Sequence, residues 1–504
     1  TWVVPRTVPN STPVPVLYPS DFREYEQINP VDAGNDDEIL LANLLLEWNF
    51  DFATLTSSTS YWDRTETLQT DLGVLAFPTT GVSGTFPVVV NRDDMPKSYI
   101  QEFRLTSNDD GRLSWLAGLF WQRIPQDYRV EVTDLSGLDI LRTDRTVRAA
   151  INNTPPPPAG PVGLQIGTFE DTQYAVFGEI AYDVTPKFNA AFSFRWFDLQ
   201  QESELINTGF FFATQGNSFR ENSASEFTPK LNLSYRPTDD LLFYATAAEG
   251  FRTGITNRAL PLDLCARELA NAGFPGGVPP TEADTLWNYE LGAKMTLADR
   301  VSLNAAVYRI DWSDLQAQVF MSALKDPNVA VSQCTFETIF NVGDAQIDGA
   351  ELELAAKLSE NLRVDAALAW TDARYKDTYA QIGIFRDQRI EGVADFTGFL
   401  GLQYDFPVFG RQSFARLDWA YTGAIEPRGT DFRLQAQPTG IGEFHQLNAR
   451  IGASLGAGVR LELWIENLTN EFGVTRAIDL AGDGLPTMFT IRPRTAGATV
   501  RVDF

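Results

Sequence analysis

The sequence predicts an all-β fold, namely a transmembrane antiparallel β-barrel built from about 17 strands of this chain. The last stretch, from Arg494 to Phe504, alternates apolar residues with small, polar or charged ones. The same period-two alternation recurs along the chain, in strands whose connections tend to be short and long in turn. No continuous apolar run reaches the length of about 18 residues that a membrane helix needs. A barrel is then the way for the chain to cross a membrane, because strands place lipid-facing residues at every second position.

The closing strand shows the pattern in its simplest form. Ala496, Ala498, Val500, Val502 and Phe504 share one face, while the residues between them are small or hydrophilic. A soluble protein would rarely end its final strand on an unprotected aromatic residue, whereas a barrel pairs its last strand with its first.

Upstream, sixteen further stretches show similar alternation, although it is weak in the second. Tight turns separate many of them, as at Pro237 to Asp240 and at Ala298 to Arg300. The predicted strands are 39–50, 52–64, 99–107, 113–121, 174–184, 188–196, 230–235, 241–251, 287–295, 301–307, 352–358, 364–370, 396–404, 415–421, 447–453, 459–465 and 494–504.

The long connections are expected at the external end of the barrel and the tight turns at the periplasmic end. The predicted long connections are Thr65 to Arg92, Arg123 to Glu170, Glu204 to Asn222, Arg252 to Thr281 and Thr469 to Arg492.

The two faces of the strands differ in chemistry. Apolar faces carry Trp, Tyr and Phe near strand ends, which suits a membrane interface. The opposite faces carry charged and amide side chains, which a packed soluble core would not tolerate but a lumen filled with water or occupied by another domain would. Residues predicted to face the lumen are Arg195, Glu290, Lys294, Arg460 and Glu462.

Composition excludes several functions. The net charge of −26 and the lack of a basic patch argue against nucleic acid as a partner. The single histidine, His445, shares the lipid-facing parity of Leu447, so a Ser-His pair in an enzyme is not expected. Nor does the chain offer a spaced ligand cluster for a metal, and no cofactor is expected.

Two cysteines, Cys265 and Cys334, fall in long irregular stretches between predicted strands. In an oxidising compartment they would form one disulfide that joins neighbouring outer loops. The alternative is a pair of free thiols.

Several segments resemble the β-barrel part of TonB-dependent outer-membrane receptors. They are SYIQEFRLTSNDDGRLSWLAGLFW from Ser98, LWNYELGAKM from Leu286, NVGDAQIDGAELEL from Asn341, LELWIENLTNEFG from Leu461, and the terminal PRTAGATVRVDF. Their order and spacing extend the resemblance over most of the chain.

The resemblance implies a barrel of roughly 22 strands with a plug domain in the lumen and a TonB-binding segment ahead of the plug. We therefore expect residues 1–504 to be a barrel domain that is incomplete at its N-terminus, without plug, TonB-binding segment or first strands. The expected partners are outer-membrane lipid, the plug, the TonB complex and the outer-membrane assembly machinery. By the same resemblance, the five lumen-facing residues given above would contact the plug; the alternative is contact with lumen water alone. Val500, Val502 and Phe504 resemble the C-terminal signal that this machinery reads.

The function implied is TonB-energised uptake of a scarce ligand across the outer membrane of a Gram-negative bacterium, with a ferric siderophore as the default class. Because the external loops of such receptors capture the ligand, the resemblance also implies that the five long connections given above are the ligand-binding ranges. The alternative is a passive porin without a plug. Phe210, Phe211 and Phe212 are weak candidates for ligand contact, because an aromatic run at a strand edge is more often an interface anchor.

Overall fold

The structure is a computed structural model. It describes residues 32–71, 88–108, 111–135, 162–209, 216–255, 257, 260, 262–320, 337–380, 384–425, 441–478 and 487–502.

Seventeen strands form one antiparallel sheet in which each strand pairs with the next along the chain. Each of the seventeen predicted stretches corresponds to one of these strands, so the predicted number is confirmed. The strands are β1 (Gly34–Asn49), β2 (Ala53–Asp71), β3 (Val88–Ser107), β4 (Leu113–Asp134), β5 (Gly163–Thr185), β6 (Phe188–Thr208), β7 (Gly216–Thr238), β8 (Leu241–Arg252), β9 (Asp284–Leu297), β10 (Val301–Ser313), β13 (Ala345–Lys357), β14 (Leu362–Tyr375), β15 (Phe396–Val408), β16 (Arg411–Thr422), β17 (Phe444–Gly456), β18 (Val459–Glu466) and β21 (Thr495–Val502).

The long connections contain structure of their own, which the sequence pattern did not predict. Two small antiparallel hairpins and one described helix lie there. No described helix has both the length and the apolarity to span a bilayer. These elements are α1 (Leu262–Asn271), β11 (Gln316–Phe320), β12 (Glu337–Asn341), β19 (Val474–Ile478) and β20 (Thr487–Thr490).

Strand register places the predicted apolar stripes on one face of the sheet. Leu119 of β4 lies opposite Val176 of β5, which in turn lies opposite Trp196 of β6. All three are exposed, Leu119 by 56%. Exposed apolar side chains in register across many strands form a lipid-facing surface, as the alternation predicted.

On the other face, glycines lie beneath aromatic rings of the neighbouring strand. Gly349 of β13 is directly opposite Tyr308 of β10, and Gly292 of β9 is directly opposite Tyr244 of β8. A Cβ built on Gly349 would lie 2.1 Å from Cζ of Tyr308. Each ring therefore covers strand backbone that only a glycine leaves open.

Replacing Gly349 by Val should displace Tyr308 and lower the free energy of unfolding by about 1–3 kcal/mol, because overpacking forces side chains off their rotamers. Thermal unfolding of the purified protein would measure the loss. Gly34 is the matched control, since it also lies in a strand and a Cβ there would meet nothing within 4 Å. Equal melting temperatures for the two valine variants would contradict the packing explanation.

The strands extend further than predicted at the long-loop end. Residues 65–71 belong to β2, and residues 88–92 belong to β3. Strand β6 continues to Thr208, and β7 already begins at Gly216. Much of the first three predicted loops is thus strand, and this part of the prediction was wrong. Apolar alternation ends where lipid ends, whereas backbone hydrogen bonding between strands continues into water.

Within the described residues the sheet has two open edges. β1 pairs only with β2, and β21 pairs only with β18. Strand β1 is exposed along its whole length and on both of its faces; Leu41, for example, is 74% exposed. At the other edge Val500 and Val502 lie on the apolar face opposite Leu461 and Val459, while Phe504 lies outside the described residues.

Candidate ligand-binding wall

The candidate site is the polar face of the sheet where the strands continue beyond the aromatic belt at the long-loop end. In a barrel this face lines the mouth of the lumen. Two clusters of side chains there combine an arginine with an aromatic ring. Neither was identified from the sequence.

The first, the Arg92 cluster, consists of Arg92, Asp94, Gln126, Tyr128 and Phe169. Asp94 is 7% exposed and accepts hydrogen bonds from the guanidinium of Arg92 and the amide of Gln126. Cζ of Arg92 lies 5.4 Å from the centroid of the Tyr128 ring, which meets the Phe169 ring edge-on at 5.9 Å. Nε of Arg92 is buried without a hydrogen-bond partner among the described residues. The guanidinium is thus held in place while its side chain remains 42% exposed.

The second, the Arg252 cluster, is centred on a carboxylate that is almost fully buried. Asp284 at the start of β9 is 1% exposed, and Arg252 at the end of β8 faces it in a two-pronged ion pair. The backbone N–H of Gln316 also donates to Asp284 Oδ2 at 2.9 Å, and the Gln316 carbonyl accepts from Arg252 at 3.1 Å. Charge-assisted bonds of this kind fix the guanidinium, which is 51% exposed.

Trp312 of β10 completes this cluster. Cζ of Arg252 lies 5.1 Å from its ring centroid, a cation–π distance. Trp312 Nε1 and, nearby on β9, Asn288 Oδ1 are buried and have no hydrogen-bond partner among the described residues. A donor and an acceptor without partners are costly unless something bonds them, so these two groups are candidates for polar contact with a ligand or a plug.

A small hydrophobic core supports the Arg252 cluster from the loop side. We call it the loop cluster; it comprises the described parts of 253–283, 314–344 and 375–395. Its buried residues come from three successive long connections and from Ala345, the first residue of β13, so they join loops that are far apart in sequence. They are Leu260, Cys265, Leu269, Ala272, Leu315, Val319, Phe340, Val342, Ala345, Tyr375 and Ile384.

Asn257 ties the loop cluster to the barrel wall. Its side-chain amide donates to the carbonyls of Pro279 and Ile339, at 3.0 and 2.7 Å, and its Oδ1 accepts the N–H of Ile339. Its own carbonyl accepts a hydrogen bond from Arg220 of β7. Asn222, also of β7, donates to the carbonyl of Gly254 at 2.6 Å. The β8–β9 connection therefore folds over the lumen face of β7.

Cys265 lies on helix α1, not in irregular structure as predicted, and is fully buried in the loop cluster. It is disulfide-bonded. Cys334, its predicted partner, lies outside the described residues, so the pairing stays a prediction.

We expect denatured but unreduced protein not to react with a maleimide, and reduced protein to react at both cysteines. Mass spectrometry of the labelled protein would measure this, with a Cys265→Ser variant as the reference for one free thiol. Two labelled cysteines before reduction would contradict the predicted disulfide.

The structure brings together residues from different predicted binding ranges. Arg92, at the end of the first range, lies over the ring of Tyr128 from the second, and that ring contacts Phe169. Arg220 from the third range donates a hydrogen bond to Asn257 from the fourth. They lie mostly on strands, not on loops. The weak candidates Phe210, Phe211 and Phe212 lie outside the described residues.

The other sequence-predicted positions agree with the register. His445 lies on the apolar face between Trp419 and Tyr421, with ring centroids 5.8 and 5.0 Å away. Arg195 faces the lumen, stacked on Phe120 at 4.9 Å. The other four residues predicted to face the lumen also lie on the polar face: Glu290, Lys294, Arg460 and Glu462. Among the described residues no group of three or more His, Cys, Asp or Glu side chains is placed to hold a metal ion.

A sequence profile of the family described as "TonB dependent receptor-like, beta-barrel" matches residues 4–468. The chain belongs to this family. Barrels of TonB-dependent receptors are integral proteins of the Gram-negative outer membrane, and the family consists of transporters, not enzymes. The resemblance read from the sequence segments is thereby confirmed.

Individual relatives are distant. The Probable TonB-dependent siderophore receptor PiuA of Acinetobacter baumannii is 24% identical over 213 residues, which are 41% of this chain and 24% of PiuA. The ferric yersiniabactin uptake receptor FyuA from Yersinia pestis has a similar structure, with a TM-score of 0.68 and 16% identity, over 93% of this chain and 61% of FyuA. The copper transporter OprC gives a TM-score of 0.64 and 14% identity, over 93% of this chain and 65% of OprC.

The chain thus spans less than two thirds of the length of each of these proteins. The structural likeness, at such low identity, concerns the fold alone. The names of FyuA and OprC refer to different cargoes on that shared fold, so the ligand of this chain has to be argued from its own side chains.

Proposed function

We propose that the chain forms the barrel wall of a receptor that imports a ferric siderophore across the outer membrane with energy from the TonB complex. The observation that carries the proposal is the pair of immobilised arginines at the lumen mouth, each placed over an aromatic ring. Ferric chelates with catecholate or carboxylate groups present anionic oxygens, and many also carry planar rings. A guanidinium fork on an aromatic ring suits both features.

Buried carboxylates make these arginines suitable for binding. Asp94 and Asp284 are 7% and 1% exposed, while the arginines that they hold are about half exposed. The protein therefore orders the guanidinium groups before a ligand arrives, which lowers the entropy cost of binding. Each arginine is already paired with a carboxylate. The site therefore favours a ligand that accepts hydrogen bonds from the remaining guanidinium N–H groups, and it is less suited to a simple anion.

The rest of the receptor is part of the same proposal. Further strands would close the barrel between the open edges of β1 and β21, and a plug would occupy the lumen between the two clusters and contact Arg195, Glu290 and Lys294. A TonB-binding segment ahead of the plug would link the receptor to the energy source. The assembly machinery would read the closing strand with Val500 and Val502.

Uptake of iron-55 complexes tests this function. Cells that rely on the full-length receptor would be given ferric catecholate, ferric hydroxamate and ferric citrate complexes, with and without TonB. We expect saturable uptake of at least one class that disappears without TonB. Equal, non-saturable uptake in both strains would overturn the proposal and favour a passive porin; TonB-dependent uptake of a different cargo would overturn only the siderophore assignment.

A further inference from the structure

The tight turn between β15 and β16 carries a side chain in an unfavourable place. Phe409 is 98% exposed and has a φ of 50°, and Gly410 follows with a φ of 75°. A large ring in water is unfavourable, and left-handed backbone is rarely adopted by bulky residues. Two-residue turns of this kind favour Asn or Gly.

Other tight turns at the same end of the barrel avoid this combination. The residues with positive φ are Ala298 and Asp299 between β9 and β10, and Ala457 and Gly458 between β17 and β18. These side chains are small or polar. An aromatic residue is therefore not a requirement of the turn geometry, and its position has to be explained by what surrounds it.

The lipid-facing stripe of β15 leads directly to Phe409. Leu402, Tyr404, Phe406 and Val408 share the outward face, and the rings of Tyr404 and Phe406 stack with centroids 6.0 Å apart. Leu402, Tyr404 and Val408 are 39%, 51% and 37% exposed. The apolar surface therefore does not stop at the last ladder residue but continues into the turn.

Apolar exposure extends equally far at the two adjacent turns: Leu358, just after β13, is 60% exposed, and Leu455, near the end of β17, is 48% exposed. Arg411 follows the turn directly opposite Val408, on the same outward face. An arginine beside an apolar tip suits the boundary between acyl chains and phosphate groups, because its stem can lie in lipid and its charged end in water.

We propose that the β15–β16 turn is a lipid anchor, with the ring of Phe409 inserted among the phospholipids of the periplasmic leaflet and Arg411 at their phosphates. The occupant is lipid because Phe409 continues an established lipid-facing surface. The inference rests on the outer-membrane location of the family and is independent of the ligand.

Photocrosslinking tests it in the full-length receptor in living cells. p-Benzoylphenylalanine would replace Phe409, a conservative change in shape, and the purified protein would be weighed by mass spectrometry after irradiation. Position 404 serves as the lipid-facing reference, and position 299 as a matched turn residue with a similar left-handed backbone and a polar side chain.

We expect the protein labelled at 409 to gain the mass of one phospholipid, as at 404, with no such gain at 299. Three results would overturn the proposal: a crosslink from 409 to a periplasmic protein, no adduct at 409 while 404 reacts, or equal lipid adducts at 409 and 299.

Discussion

Replacing Asp284 by Ala should loosen the loop cluster while the barrel stays folded. The change removes the partner of the Arg252 guanidinium and leaves the buried N–H of Gln316 without its acceptor. Because Arg252 is half exposed, water compensates part of the loss, and we expect the local free energy of unfolding to fall by about 3 kcal/mol. Amide hydrogen exchange in the described parts of 253–283 and 314–344 should then become about 100-fold faster.

Asp311 provides the matched control, since it lies on β10 near Trp312 but is exposed on the outward face. Asp311→Ala should leave exchange unchanged. Normal exchange in the Asp284→Ala protein would mean that the hydrophobic core alone holds the loop cluster together, and that the buried ion pair is dispensable.

Replacing Arg92 or Arg252 by Lys should weaken ligand binding by about tenfold each, equivalent to about 1.4 kcal/mol. Lysine keeps the positive charge but loses the planar fork and the stacking on Tyr128 or Trp312. Binding of the ferric complex that the receptor imports would be measured by fluorescence titration with the purified full-length receptor.

Arg309→Lys is the control for these two variants. Arg309 forms a similar ion pair with Asp348 at 2.7 Å and is 55% exposed, but it faces away from the lumen. Its replacement should not change affinity. If all three variants bind equally well, the two clusters do not contact the ligand and the candidate site is wrong; a melting-temperature check on each variant separates this from misfolding.

The strand pattern was readable from the sequence because lipid imposes a strict local rule. Every second residue in a spanning strand must be apolar. The alternation in stretches such as 174–184 and 459–465 therefore predicts both that they are strands and which of their faces points outward. The position of His445 on that face followed from the same parity.

The same rule explains what sequence reading missed. Beyond the bilayer both faces are wet, so the extension of β2 through Asp71 and the start of β3 at Val88 carry no alternation. Helix α1 was hidden in a stretch interpreted as loop, because its amphipathic face is short and its partners come from other connections.

What the sequence determined by itself is therefore the architecture: an antiparallel, lipid-facing sheet of about 17 strands, its inside and outside, and its family. Only the tertiary structure decided the candidate site. Arg252 and Asp284 form an ion pair between two strands that are separated by a long connection. Arg92 lies over an aromatic ring of the next strand. Such contacts depend on register and on loops folding back over the wall, and those are set by long-range packing that no local periodicity records.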